Sequence, residues 1–167
     1  HRVSAVLSRS IKTANSFASK ILDCNSYKDI DLFLKDSTID AVYIATPNIF
    51  HYKQSIRSLN AGKPVLCEKP FSMNSKEARL MVETSKNNKV ALLEAMWMRY
   101  LPHIGTIRKL IEEGSIGQIE SLSACHAQNL RFSTNPRLWT KDLGGGSLLD
   151  LGIYVVSFAH MILGAPK

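Results

Sequence analysis

Cysteine is scarce in this sequence of 167 residues, and its arrangement excludes two classes of small protein. Cys24, Cys67 and Cys125 are odd in number, and no two of them form a Cys-x-x-Cys pair. Neither a disulfide framework nor a structural zinc site is therefore expected, and no metal site is predicted. Such cysteine usage is typical of a reducing compartment, so we expect a cytoplasmic protein.

The sequence also lacks long apolar runs and clustered charge. Hydrophobic residues make up 45% of it and charged residues 21%, an ordinary globular composition. No uninterrupted apolar run approaches the roughly 20 residues of a membrane span, so we expect no membrane association. The net charge is +7, but the lysines are spread along the chain without interleaved aromatic residues. We therefore expect no nucleic-acid partner.

What the chain does contain, up to about residue 96, is an alternation of strand-like and helix-like segments. Helical patterns lie at Ile11–Leu22 and Phe50–Ala61, and Asn74 with Glu77 forms a capping box. Apolar stretches typical of buried strands lie between them, at Val3–Leu7, Ile39–Ala45, Pro64–Cys67 and Val90–Leu93. The last three recur about every 25 residues, a spacing that predicts βαβ units in a doubly wound parallel sheet covered on both faces, an α/β fold of Rossmann type.

The pattern changes after Trp97. A helix is predicted over His103–Glu113, an alternating strand over Gln118–Gln128, a loop over Asn129–Leu143 and an apolar helix over Ser147–Leu163. One strand and one helix cannot cover both faces of a sheet. We therefore predict two incomplete domains, a dinucleotide-binding domain over 1–98 and the start of an α+β substrate domain over 99–167. The chain begins without methionine and ends directly after a helix, so we expect a fragment of a longer protein.

Polar residues follow three of the predicted strands, where doubly wound sheets bind their ligands. They are Ser8-Arg9, Thr46-Pro47-Asn48 and Glu68-Lys69. Ser8 and Arg9 occupy the position where an acid would bind the ribose of NAD. A guanidinium suits the 2′-phosphate of NADP, so NADP is favoured, with NAD as the alternative and a solvated turn as the non-functional interpretation.

Lys69 lies between apolar segments. Pro70 restricts it to extended geometry, which would hold it over the ligand crevice; the alternative is a surface charge.

A second cluster opens the apolar helix. Gly144-Gly145-Gly146 precede it and permit either close backbone approach or a mobile entry. Asp150 and Tyr154 are four residues apart and share one helix face. They could point into a cavity, or they could bond to each other as core structure.

These motifs together resemble the Gfo/Idh/MocA family of NAD(P)-dependent oxidoreductases. Within it, the sequence is similar to the group of trans-1,2-dihydrobenzene-1,2-diol dehydrogenases and NADP-dependent D-xylose dehydrogenases. The resemblance spans nearly the whole chain and rests on Val6–Ser10, Tyr43–Asn48 with His51, Gly62–Pro70, Glu94–Arg99, Asn135–Leu138 and Gly144–Tyr154.

The resemblance implies an enzyme that transfers a hydride between nicotinamide and a carbinol of a sugar or cyclic diol. It implies Tyr154 as acid/base, Lys69 beside the nicotinamide as its activator, and Asp150 on the substrate side, although Lys69 itself could be the base. Cofactor contacts are implied for Ser8, Arg9, Thr46, Asn48, His51, Glu68, Lys69, Trp97 and Arg99. A homo-oligomer is expected. The alternatives are a non-catalytic NADP-binding sensor and a sugar–sugar oxidoreductase with tightly bound NADP.

One departure from the family pattern concerns the cofactor. The first strand and its glycine-rich phosphate-binding turn, which would precede residue 1, are lacking, and so is the substrate domain's sheet. We therefore expect the 167-residue chain alone to be inactive.

Overall fold

The computed structural model of the protein describes residues 1–131 and 135–166. Strand and helix alternate in its first part, as predicted. The strands are β1 (Ala5–Leu7), β2 (Asn25–Tyr27), β3 (Val42–Ile44), β4 (Val65–Cys67) and β5 (Leu92–Glu94). The helices are α1 (Ile11–Ala18), α2 (Ile30–Lys35), α3 (His51–Asn60) and α4 (Ser75–Asn88).

The parallel sheet predicted from the apolar stretches is confirmed for β3, β4 and β5. These strands pair in that order, with Val42 opposite Val65 and Val65 opposite Leu92. The side chains of Val42, Ile44, Val65 and Cys67 point into the core, where they pack with Leu59 and Met81 from α3 and α4. The intervening Tyr43 and Leu66 are exposed. The expectation that both sheet faces are covered is therefore wrong for the described residues.

A separate parallel pair is formed by β1 and β2. The sequence pattern missed β2, because Asn25-Ser26-Tyr27 is polar and carries no buried-strand signature. A cavity of about 1170 Å³ is lined by residues of both β1 and β3. One more strand between them would give the doubly wound order 3-2-1-4-5-6. This arrangement agrees with the expected Rossmann sheet that lacks its first strand.

Helix ends follow local chemistry. Asn74 caps α4 as predicted, its side-chain oxygen accepting from the Glu77 N–H at 3.0 Å. Gly62 follows the end of α3 and has a φ of 73°, which lies in the left-handed region that glycine tolerates. The helix predicted to reach Leu22 instead ends at Ala18, and Leu22 lies exposed in the following turn.

The second part contains α5 (Pro102–Glu112) and α6 (Ile153–Leu163), the latter preceded by a π-helical turn over Leu148–Gly152. The strand predicted over Gln118–Gln128 is wrong: these residues are irregular, because no described strand lies beside them to accept their backbone hydrogen bonds. Of the predicted loop Asn129–Leu143, residues 132–134 lie outside the described residues. The remainder includes short 3₁₀ turns at Pro136–Trp139 and Lys141–Leu143.

One described segment bears on the expectation of no membrane association. By length and composition alone, the helical stretch Lys141–Leu163 reaches what a membrane crossing requires, and none of its most apolar window is buried. Core helices of soluble proteins meet the same criterion.

Candidate active site

Lys69 follows the end of β4 and reaches the opening of the apolar helix. Its ammonium donates to the carboxylate of Asp150 at 3.2 Å and to the Asp150 carbonyl at 2.6 Å. The two side chains are only 14% and 20% exposed. Because the pair is largely withdrawn from water, its two charges attract each other with less screening than those of a surface ion pair, while their desolvation offsets a part of that attraction. It joins the two parts of the chain at one point.

Tyr154 lies against this ion pair. The Lys69 ammonium is 4.8 Å from the centre of the Tyr154 ring, a cation–π distance. The indole N–H of Trp97 donates to the Tyr154 hydroxyl oxygen at 3.0 Å, and the ring of His126 lies 5.0 Å away, centre to centre. No hydrogen bond joins Tyr154 to Asp150 among the described residues, so the interpretation of the two as a bonded core pair does not hold.

A cavity of about 410 Å³ opens beside the ion pair, along the carboxyl ends of β3 and β4. The structure brings six of the predicted site residues to its walls: Thr46, Asn48, His51, Glu68, Lys69 and Asp150. Tyr43 and Arg137 also line it, and neither was among the predicted site residues. Both lie in stretches that carried the family resemblance, Tyr43 in Tyr43–Asn48 and Arg137 in Asn135–Leu138.

Tyr43 fixes the carboxylate of Glu68. Its hydroxyl donates to Glu68 at 2.5 Å, and this hydrogen bond, together with burial and the charge of Glu68, raises the pKa of Tyr43 to about 12. The other oxygen of Glu68 accepts the Lys69 backbone N–H at 3.1 Å. Glu68 therefore keeps a set orientation at the cavity wall.

Two of the three consecutive glycines lie where neighbouring atoms approach the backbone too closely for a side chain. Asn48, which is buried, donates through its side-chain amide to the Gly144 carbonyl at 2.8 Å. A Cβ at Gly144 would lie 2.8 Å from the Asn48 Cβ, and one at Gly145 would lie 2.6 Å from the Leu138 carbonyl oxygen. Gly146 has open space around it. Close packing rather than a mobile entry therefore accounts for Gly144 and Gly145.

The remaining predicted cofactor residues lie in different surroundings. Ser8 and Arg9 line the larger cavity between β1 and β3, which shares Tyr43, Ala45 and Thr46 with the smaller one. One crevice thus runs from Arg9 to Lys69. Arg99 lines neither cavity; its guanidinium donates to the side chain and carbonyl of Ser157 on α6.

His51 is completely buried, and both its ring nitrogens lie on backbone carbonyl oxygens. It supports the cavity from beneath and has no nitrogen left for a cofactor. For metals, no group of three or more His, Cys, Asp or Glu side chains that could hold an ion occurs within residues 1–131 and 135–166.

Comparison with known proteins agrees with this geometry. The chain is 38% identical to trans-1,2-dihydrobenzene-1,2-diol dehydrogenase of Mus musculus over 100% of its own length and 50% of the relative's. It is 36% identical to scyllo-inositol 2-dehydrogenase (NADP(+)) of Bacillus subtilis over 99% of its length and 52% of the relative's. It is 37% identical to D-xylose 1-dehydrogenase (NADP(+)) of Hypocrea jecorina, covering 98% of the chain and 45% of that protein. The chain thus spans about half the length of these relatives.

Among solved structures, KijD10, a 3-ketoreductase from Actinomadura kijaniata in complex with NADP and TDP-benzene, superposes with a TM-score of 0.88. The two are 29% identical, and the match covers 98% of this chain and 50% of KijD10. Residues 1–96 match the model of the oxidoreductase family with an NAD-binding Rossmann fold, and residues 104–167 match the GFO/IDH/MocA C-terminal domain. The chain belongs to the Gfo/Idh/MocA family of oxidoreductases.

Proposed function

We propose that this chain is the cofactor-binding and catalytic part of an NADP-dependent dehydrogenase that oxidises a carbinol of a sugar or cyclic diol. The observation that carries the proposal is that Lys69 and Asp150, more than 80 residues apart along the chain, pair at the wall of one cavity, with the ring of Tyr154 beside the Lys69 ammonium. Relatives named as NADP-dependent inositol and xylose dehydrogenases support the same reaction class.

In the proposed reaction, Tyr154 accepts the proton of the substrate hydroxyl while the carbinol carbon gives up a hydride and becomes a carbonyl carbon. The Lys69 ammonium, 4.8 Å from the centre of the Tyr154 ring, places a positive charge beside the developing negative charge of the phenol oxygen, and the Asp150 carboxylate offsets a part of it. The Trp97 N–H adds a hydrogen bond that strengthens as charge develops on the Tyr154 oxygen. The reverse assignment, with Lys69 as the base, remains the competing mechanism.

Asp150 is proposed to orient the substrate. One of its carboxylate oxygens is engaged by Lys69, and the side chain lines the cavity. A carboxylate only accepts hydrogen bonds, so a substrate hydroxyl is a suitable donor for it.

The crevice fits a phosphorylated dinucleotide. Its nicotinamide, when bound, supplies the hydride acceptor. Thr46, Asn48, Glu68 and Lys69 line the inner end of this crevice, and Ser8 and Arg9 line the outer end. Arg9 is exposed at the carboxyl end of β1, where its charge suits a 2′-phosphate and an acid would repel it. We therefore propose NADP rather than NAD.

The complete protein is further proposed to be a cytoplasmic homo-oligomer, with the change of domain near residues 98 and 99. Its free thiols at Cys24, Cys67 and Cys125 are compatible with a reducing compartment. The second candidate function is non-catalytic: a sensor that binds NADP without turning over a substrate. A sugar–sugar oxidoreductase would instead retain its cofactor through purification.

The test uses the complete protein that carries this chain, mixed with NADP and a panel of aldoses and cyclic diols while the absorbance of the reduced nicotinamide is followed. Tyr154→Phe is expected to reduce kcat severely and to leave NADPH binding nearly intact. Tyr100→Phe, which changes an exposed tyrosine, is the matched control and should keep full activity. Turnover by Tyr154→Phe at the wild-type rate would remove Tyr154 from the mechanism, and NADP binding without turnover of any substrate would favour the sensor.

A further inference from the structure

The Pro70–Phe71 peptide group, the second after Lys69, is held from both sides by the side chains of the buried His51 and the half-buried Glu94. His51 Nδ1 lies 2.8 Å from the carbonyl oxygen of Pro70. The N–H of the same peptide group, which belongs to Phe71, donates to the Glu94 carboxylate at 3.0 Å. His51 comes from α3 and Glu94 from β5, so two separate elements fix the backbone from which the Lys69 side chain extends.

His51 also reaches the neighbouring turn. Its Nε2 lies 2.8 Å from the carbonyl oxygen of Thr46, which follows β3. Both partners of the ring are therefore carbonyl oxygens, which only accept hydrogen bonds. A neutral imidazole has one N–H donor, whereas the imidazolium has two. The ring is 0% exposed and each nitrogen lies directly on a carbonyl oxygen. A neutral ring would turn one nitrogen lone pair toward a carbonyl oxygen, so the contacts favour a ring with an N–H on both nitrogens.

A buried imidazolium needs a counter-charge, and Glu94 supplies it. Burial raises the pKa of Glu94, while the Phe71 N–H, Arg99 and His51 act in the opposite direction. The charged groups that act on Glu94 are thus Arg99, from the turn after β5, and His51, from α3. The charge on Glu94 and the charge on His51 support each other across the peptide group that they both bind.

We propose that His51 and Glu94 form a charged clamp that positions Lys69 against Tyr154. Neither residue touches the substrate in this scheme. Both act through the Pro70–Phe71 peptide group and are positioning residues. The kinetic part of the proposal rests on the proposed function; the protonation state of His51 does not.

The first test is the protonation of His51 in the complete, ligand-free protein, read from the ¹⁵N shifts of its ring nitrogens at neutral pH and assigned by comparison with His51→Asn. Both nitrogens are expected to be protonated in the wild type. In Glu94→Gln, which keeps an oxygen acceptor but removes the charge, one nitrogen is expected to lose its proton. A wild-type ring with a single N–H overturns the proposal, even if the protein proves to be an active dehydrogenase.

The second test separates the two ends of the clamp by kinetics. The amide of His51→Asn stands near Nδ1 and can still donate to Pro70, whereas that of His51→Gln stands near Nε2 and donates only to Thr46. His51→Gln is expected to lower kcat by up to about 100-fold, the scale of a misplaced catalytic group, and His51→Asn by clearly less, with the Kd for NADPH unchanged in both.

The controls are His103→Asn and Glu83→Gln, both at exposed positions, which should leave kcat unchanged. Equal losses in the two His51 variants, or a loss confined to NADPH affinity, would overturn the positioning role. If the wild type shows no turnover at all, the proposed function fails, while the ¹⁵N result still decides the charge state of the clamp.

Discussion

Residues 1–96 and residues 97–166 contribute to the same cavity but are held in place by different forces. Of the buried hydrophobic residues in the described chain, only Ile104 lies beyond residue 96. The first region carries Lys69 on a turn next to a packed sheet. The second carries Asp150 and Tyr154 on a helix in which no residue is fully buried. Burial of apolar area is the main stabilising term in folding. Most side chains of this helix are only half-buried, so this term is weaker in the second region.

Specific polar contacts also hold the second region in position. Lys69 binds Asp150, Trp97 binds Tyr154, Arg99 binds Ser157, and Asn48 binds Gly144. Each contact is directional. Those of Lys69 and Asn48 join the apolar helix and its entry to the first region, and those of Trp97 and Arg99 join the helix to the turn that opens the second region. The comparison suggests that the first region supplies stability, whereas a few polar contacts determine where the reactive side chains of the second region lie.

The largest effect is expected from the core of the first region. Leu59 is completely buried against β3 and β4, so Leu59→Ala should lower the free energy of unfolding by about 2–5 kcal/mol. Leu22→Ala, at a side chain that is 85% exposed, is the matched control and should change it by less than about 0.5 kcal/mol. Denaturant unfolding of the complete protein measures both.

Val156→Ala on α6 tests whether apolar burial contributes little to the stability of the second region. Val156 is 54% exposed, so a small loss is expected, again within about 0.5 kcal/mol. A loss similar to that of Leu59→Ala would break the comparison, because it would show that another part of the complete protein covers this helix.

An intermediate effect is expected at the glycine turn that precedes the apolar helix of the second region. A Cβ at Gly145 would lie 2.6 Å and 2.7 Å from the carbonyl oxygens of Leu138 and Arg137, and backbone cannot yield as a flexible side chain does. Gly145→Ala should therefore destabilise the protein by about 1–3 kcal/mol and lower kcat by displacing Asp150 and Tyr154. In Gly105→Ala, within α5, the new Cβ meets nothing within 4 Å, and the variant should gain about 0.5–1 kcal/mol. Equal behaviour of the two variants in unfolding and turnover would contradict the close-approach role.

The fold of the first region was more predictable from sequence than that of the second, because burial of apolar side chains leaves a pattern in the sequence. Strands β3, β4 and β5 were predictable because burial in a parallel sheet requires continuous apolar stretches. Strand β2 was not, since its residues are polar and it pairs at the edge of a two-stranded sheet. The alternation over Gln118–Gln128 predicted a strand that did not form. Alternation of apolar and polar residues suits a strand with one buried face, but a strand also needs a neighbouring strand to hydrogen-bond with.

The candidate site shows a similar division. Lys69, Asp150 and Tyr154 could be singled out because polar residues stood out against apolar surroundings. The support of Lys69 could not: Glu94 carries no local signal that distinguishes it from a surface acid, and the burial of His51 depends on carbonyl groups from two distant turns. The family resemblance predicted that His51 contributes to the site, but its position beneath the cavity required the structure.

The smallest effect is expected from acid, at a polar cluster of the first region. Asp36 accepts hydrogen bonds from Thr38, Tyr27 and Asn25, and these lower the pKa of its carboxyl group. The folded state thus favours the carboxylate: its contribution to stability is full above the unfolded pKa of about 3.9 and is lost as the pH falls from there toward the folded value. Asp36→Asn should therefore be less stable than the wild type at neutral pH, and the difference should shrink in acid.

Denaturant unfolding at neutral pH and below about pH 4 measures that difference, with exposed Asp40→Asn as the matched control. Because the Asp36 carboxylate ties β2 to the loop before β3 by accepting hydrogen bonds from Asn25, Tyr27 and Thr38, a pH-dependent difference would show that directional polar contacts also hold the edge of the first region. A difference independent of pH would mean that Asp36 acts there by its shape and not by its charge. The first region would then be held mainly by burial, and its contrast with the second region, which is held by polar contacts, would be sharper.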